Sequence, residues 1–228
     1  MKMPKGPNPR AAFDRDLRAL QDDLLALGSM VEKAIVTAVE ALRDRDLEAS
    51  RRVVREDDAI DRKRFSLEER VIDMIAIQQP VASDLRTLIT ALHISVELER
   101  IGDYAEGIGK ISLMMGDQPP IKPLVDIPRM AEKSVAMLRE SLDALVKRDV
   151  DLAAQVCNAD DEIDQLYDQV YRELLLIMLG DPQKIERATF LLWAAHDLER
   201  IGDRATNIAE QVIYLVTGKK TELKVGKY

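Results

Sequence analysis

Aromatic residues make up only 4% of this 228-residue chain, which holds 10 glycines, 9 prolines and one cysteine. A β-sandwich or barrel needs many turns and draws on aromatic and β-branched residues, so this scarcity argues against all-β folds. A single Cys157 excludes a disulfide framework within one chain and suits a reducing compartment. Without a histidine partner in the sequence pattern, that cysteine reads as a small helix residue rather than a nucleophile. No apolar run reaches the ~18 residues of a membrane span; the longest candidate, Ala188 to Ala195, runs into His196, Asp197 and Glu199. The N-terminus carries Lys2, Lys5 and Arg10 among three prolines with no apolar stretch behind them, unlike a secretory signal. A basic excess is also lacking: 33 Lys and Arg face 41 Asp and Glu, for a net charge of −8. General nucleic-acid binding, which shows as a basic face, is therefore disfavoured. The expectation is a soluble, cytoplasmic, all-α protein.

What the chain does contain is a repeat. Leu98-Glu99-Arg100-Ile101-Gly102-Asp103 recurs unchanged at Leu198-Glu199-Arg200-Ile201-Gly202-Asp203. Ala105 and Ile108 match Ala205 and Ile208, and Glu32-Lys33 matches Glu132-Lys133, all at an offset of 100. Asp57-Asp58 with Ile60-Asp61 matches Asp160-Asp161 with Ile163-Asp164 at an offset of 103, as loop-length variation between anchors produces. Punctuation divides each copy into three long helical segments. Phe13–Arg43, Asp46–Ile77 and Ser83–Met115 form the first set, and Ile127–Lys147, Asp149–Leu179 and Pro182–Val216 the second. Segments this long are at home in antiparallel bundles. The predicted architecture is a tandem repeat of two antiparallel three-helix bundles, six long helices in all. Its parts are a disordered N-terminus (1–12), a first bundle (13–115), a proline-rich linker (116–123), a second bundle (124–217) and a frayed C-terminal tail (218–228).

Candidate site residues come from the carboxylates. On the third segment, Ile94, Leu98, Ile101, Ala105 and Ile108 share the core stripe, while Glu99 and Asp103 stack four residues apart away from it. Glu199 and Asp203 repeat this in the second copy. The second segments add Asp57 with Asp61, and Asp160 with Asp164. Carboxylates one helical turn apart can bridge a hard cation, and a facing pair can complete an oxygen-rich cluster. Two such charges ~6 Å apart at an effective dielectric of ~20 repel by roughly 3 kcal/mol. Converging groups must therefore bind metal, recruit Arg or Lys, or stay protonated. A single acid pair on a helix is more often a solvated face; the recurrence of two different pairs in both copies sets these apart. Gly102 and Gly202 cost about 1 kcal/mol each in mid-helix, which calls for a close approach by a neighbouring helix or a bound cluster.

Other chemistry finds little support. Thr90 and Trp193 stand three residues before His93 and His196, so the E-x-x-H of di-iron bundles is missing. His196 lies one turn before Glu199, a position that more often ends a polar stripe than binds an ion. There is no glycine-rich phosphate loop, no G-x-S-x-G and no C-x-x-C. A metal-storing or metal-dependent carboxylate-cluster enzyme is the alternative to a non-enzymatic regulator.

The doubled L-E-R-I-G-D, the Asp84-Leu85-Arg86 upstream of its first copy and the D-x-x-x-D pairs resemble the PhoU family of phosphate-transport regulators, over about Phe13 to Thr217. The resemblance implies two similar three-helix bundles in a homodimer. It implies a cytoplasmic negative regulator of phosphate uptake and phosphate-starvation signalling. Its partners would be the ATPase subunit of the phosphate ABC transporter and a phosphate-sensing histidine kinase, with the membrane met only through them. It also implies metal clusters of Fe, Zn, Mn or Mg on Asp57, Asp61, Glu99, Asp103, Asp160, Asp164, Glu199 and Asp203. The second copy has Lys184-Ile185-Glu186 in place of Asp84-Leu85-Arg86. If that segment met a partner, the halves would meet it unequally.

Overall fold

A computed structural model describes residues 9–219. Those residues form six long α-helices and no strand: α1 (Pro9–Asp44), α2 (Leu47–Gln78), α3 (Ser83–Met115), α4 (Asp126–Lys147), α5 (Val150–Gly180) and α6 (Ile185–Thr217). The first three and last three make two antiparallel hairpin-connected bundles, as the all-α repeat requires. Leu20, Leu24, Leu27 and Ile35 of α1 pack with Leu98, Ile101 and Ile108 of α3 in a fully buried stripe. Met130, Leu138, Ile163, Leu198 and Ile201 build the same layer in the second half. Burial of each large side chain contributes about 1.5–3 kcal/mol.

The tight turns explain why the helices break where they do. Arg45 (φ 59°) and Arg148 (φ 52°) adopt the left-handed conformation that ends α1 and α4. Asp46 and Asp149 follow, and their carboxylates accept hydrogen bonds from Ala49 N at 2.9 Å and Leu152 N at 3.0 Å. Each N-cap satisfies a backbone donor that the next helix would otherwise leave unpaired.

Two details depart from the sequence expectation. Helix α1 begins at Pro9, inside the stretch 1–12 expected to be disordered; residues 1–8 lie outside the described residues. The early start follows from Arg10, which pairs with Asp14 and Asp84 and stacks over the buried Phe13 ring. Pro182–Lys184 is a single 3-10 turn rather than the start of α6, with Asp181 capping Gln183 N at 3.1 Å. The segment after α3 is tied down: the Pro119 carbonyl accepts from Arg187 at 3.0 Å. Most of the expected tail, 220–228, lies outside the described residues.

The halves do not stand apart. Helix α3 packs along α6, and α1 along α4, so the buried side chains of both bundles join in one continuous core. Ser134 of α4 donates to the Leu198 carbonyl of α6 at 3.1 Å within this interior. Asp46→Ala and Asp149→Ala should each lower unfolding free energy by about 1 kcal/mol, and add in the double variant because the caps share no partner. Urea titration followed by circular dichroism checks this.

Candidate metal centre

Helices α2 and α3 run antiparallel, and α2 carries Asp57 and Asp61 one turn apart on the side that faces Asp103 of α3. One carboxylate oxygen from each of these three residues lies within 4.8 Å of the others. The approach depends on Gly102. A methyl group there would sit 3.1 Å from Ile60 Cγ2 and 3.3 Å from Asp57 Oδ1, tighter than ordinary contact. At Gly202 the same group would meet Ile163 Cδ1 at 2.9 Å and Asp160 Oδ1 at 3.1 Å. Both glycines of the repeated motif thus let an aspartate-bearing helix settle onto its neighbour.

Burial and like charge crowd the carboxylates of the first group. Burial pushes the Asp57 carboxyl up to about 7, helped by the charges of Glu106, Asp103 and Asp61. Burial and then Asp61 raise Asp103, and burial and then Asp103 raise Glu99, with Arg64 acting against the latter. Asp57 Oδ1 is buried and accepts no hydrogen bond. A buried oxygen left without a donor costs about 1–3 kcal/mol, which a cation would offset. Three converging carboxylates are a donor set for hard cations with oxygen-rich coordination, such as Mg²⁺ or Mn²⁺. The residues fit a metal.

The eight candidate residues are not all drawn together. Glu99 stays outside the close three-oxygen group of the first half. In the second half, Asp160, Asp164, Glu199 and Asp203 feel one another but do not close to the same spacing among the described residues. Asp203 is engaged instead by Arg200 at 3.4 Å and Arg204 at 4.0 Å. Asp160, only 4% exposed, is raised to about 7 by burial and then by Asp164, Asp203 and Glu199. Glu199 is raised to about 7 by burial and then by Asp203 and Asp164. Its Oε2 is buried without a hydrogen-bond donor, so each half holds one orphaned carboxylate oxygen.

Several neighbours escaped the sequence reading. Glu106 and Lys110, paired at 2.5 Å, border Asp57 from α3. Glu106 stands one turn beyond Asp103, which was the available signal. At the α3–α6 contact, Glu97 is held by Arg204 at 3.3 Å and Asn207 at 3.1 Å. Its counterpart Asp197 faces Gly107, with Oδ2 2.9 Å from where a methyl group would lie, and burial alone lifts it to about 7. The sequence gives no sign of this, because the partners of Glu97 come from the other half. Asp84-Leu85-Arg86 is occupied within the chain: Asp84 pairs with Arg10, while Arg86 donates to the Leu215 carbonyl at 3.4 Å and stacks on Tyr214. Cys157 is buried, its thiol pushed up to about 11 chiefly by burial, and so keeps its proton.

These raised carboxyl groups fix the sign of a pH effect. Asp57, Asp160 and Glu199 bind a proton more tightly folded than unfolded, so their contribution to stability is full below the ordinary carboxylate range and is lost as pH rises through 7. Chelator-treated protein should therefore melt at progressively lower temperature from pH 5 to pH 8. The paired substitution Asp57→Asn/Asp160→Asn should flatten that slope in scanning calorimetry.

Comparison with known proteins identifies the family. The family profile of the PhoU domain matches twice, at residues 24–112 and 127–212. A protein of Clostridium acetobutylicum named as a phosphate-specific transport system accessory protein PhoU homolog is 41% identical over 215 residues, covering 94% of this chain and 98% of that one. A Pseudomonas aeruginosa homolog of the same name is 38% identical over 209 residues, 90% of this chain and 86% of its own. The crystal structure of PhoU from Pseudomonas aeruginosa superposes with a TM-score of 0.87 at 37% identity, covering 91% of this chain and all of that one. The phosphate transport system regulatory protein PhoU from Streptococcus pneumoniae superposes with a TM-score of 0.86 at 29% identity, over 92% of this chain. With two PhoU domains, matching relatives over nearly its whole length and the same six-helix fold, this chain belongs to the PhoU family.

Proposed function

We propose that this chain is a non-enzymatic regulatory accessory of a phosphate-specific transport system. It restrains phosphate uptake and starvation signalling by docking on the transporter's ATPase subunit and on a phosphate-sensing histidine kinase. The observation that carries this reading is identity over nearly the full length of relatives named as accessory proteins of that system. A cytoplasmic homodimer is the working form. No helix among the described residues is long and apolar enough to cross a membrane, which supports contact with the membrane through partners.

Metal belongs to this reading. Asp57, Asp61 and Asp103 hold a hard cation, with Glu99 beside them, and Asp160, Asp164, Glu199 and Asp203 serve the second half. A bound cation would supply charge neutralisation; Asp57, Asp61 and Asp103 would then tie α2 to α3, and Asp160, Asp164, Glu199 and Asp203 would tie α5 to α6. The converging oxygens of the first half and the orphaned buried oxygen in each half support this.

A strain lacking the protein should take up phosphate without restraint and keep its starvation response on in phosphate-replete medium. A tagged copy should bring down the transporter ATPase or the kinase from replete cells. Uptake and signalling indistinguishable from the parent strain contradict the proposal.

A further inference from the structure

A cavity of about 230 Å³ opens between α1 and α2, with Gly102 of α3 behind it. It offers about eight times the ~30 Å³ share of one water molecule, room for a small metabolite rather than a drug-sized ligand. Met30, Lys33 and Thr37 line it from α1, and Val53, Glu56 and Ile60 from α2, each set on one helical face. Val53 and Ile60 are buried and make the floor apolar. The rim carries charges of both signs. No hydrogen bond or ion pair reaches the Lys33 ammonium or the Glu56 carboxylate among the described residues. The Thr37 hydroxyl is already satisfied, donating to the Lys33 carbonyl at 2.7 Å.

The second half shows what the equivalent space holds when it is full. Met130, Val156 and Ile163 repeat Met30, Val53 and Ile60, and all three are buried. Met137 stands where the first half has Thr37, and it is only 3% exposed. Glu162 stands where the first half has Ala59, and its carboxylate accepts from Lys133, the counterpart of Lys33. An unbranched apolar chain and a carboxylate on a lysine thus belong to this place in the repeat. The first half has cut both back, to Thr37 and Ala59, while keeping the lysine. It has also gained an acid, Glu56, where the second half has Ala159.

We propose that this cavity binds a small aliphatic amino acid. The ligand's carboxylate sits on Lys33 as Glu162 sits on Lys133. Its side chain takes the room of Met137 over Val53 and Ile60, and its ammonium group faces Glu56 and Asp57. A zwitterion answers charges of both signs. A plain carboxylate or a phosphate would meet two acids, and a plain amine would meet the lysine, so each loses part of the match. Asp61 and Asp103 do not line the cavity, and no metal is needed. The competing reading is a packing gap left by two shortened side chains and filled with water.

The test is titration calorimetry on the full chain with chelator present. L-Leucine is the probe, and isocaproate and isopentylamine are its forms without the ammonium and without the carboxylate. Leucine should bind with a dissociation constant below about 1 mM, and each truncated form at least about tenfold more weakly. Thr37→Met/Ala59→Glu gives the first half the residues of the second. It should lower leucine affinity at least about tenfold, while circular dichroism and melting temperature stay at parent values or above. Lys33→Ala, at an exposed position, should weaken leucine as much, and it decides the matter alone should the filled variant unfold. Lys133→Ala should change nothing. No leucine binding by the parent at ~10 mM, or affinity in Lys33→Ala within about twofold of the parent, would reduce the cavity to a packing gap and overturn the proposal. Equal binding of isocaproate would overturn the assignment to amino acids.

Discussion

The approach of α2 onto α3 over Gly102, repeated by α5 onto α6 over Gly202, sets the conditions for everything else in the molecule. Without side chains at these two positions, Ile60 and Ile163 reach the core and carry Asp57 and Asp160 inward with them. Hydrophobic burial therefore drags carboxylates out of water. The Ile60 and Ile163 side chains each contribute about 1.5–3 kcal/mol by being buried, while each neighbouring acid loses hydration and meets like charge. Protonation or a bound cation can relieve that opposition, and only the cation does so at neutral pH without giving up the charge.

Duplication gave the fold two copies of this device, and later substitution made them unlike. In the first half, Arg64 sits near enough to Glu99 to favour its charged form, leaving the three aspartates as the convergent set. In the second, Arg200 and Arg204 draw on Asp203, while Glu199 lies beside the His196 imidazole. The same divergence runs through the interface between halves, where Glu97 has Arg204 and Asn207 whereas Asp197 lies against Gly107. A cavity of about 230 Å³ between α1 and α2, lined by Lys33, Thr37 and Asp57, belongs to the same divergence. The corresponding lysine, Lys133, instead pairs with Glu162, where the first half has Ala59.

Much of this was legible in the sequence because it is local. Helical periodicity, the Gln79-Pro80 and Gly116 breaks and the doubled motif placed six helices within a few residues of their ends. The early start at Pro9 was missed because Arg10 earns its helix from Asp84, far along the chain. The i,i+4 spacing put each aspartate pair on one helical face, and the mid-helix glycines flagged a close approach that the structure contains. What spacing could not give was convergence. Whether Asp103 or Glu99 meets the α2 pair depends on the axial offset of two helices, and whether Asp203 is free depends on which way Arg200 and Arg204 turn. The union of the bundles into one core was equally hidden, since stripes facing a neighbouring half look like stripes facing one's own.

The measurement that goes most directly to the centre of this picture is the melting temperature of chelator-stripped protein at pH 7.5 with and without Mg²⁺ or Mn²⁺. It should be made on the parent chain and on Asp57→Asn/Asp103→Asn. Relief of crowded, buried carboxylates by a cation requires the parent to gain several degrees on adding metal, and the variant to start as stable or more so and gain nothing. A metal-induced rise of equal size in the variant would mean that these oxygens do not hold the ion and that their convergence is an accident of packing.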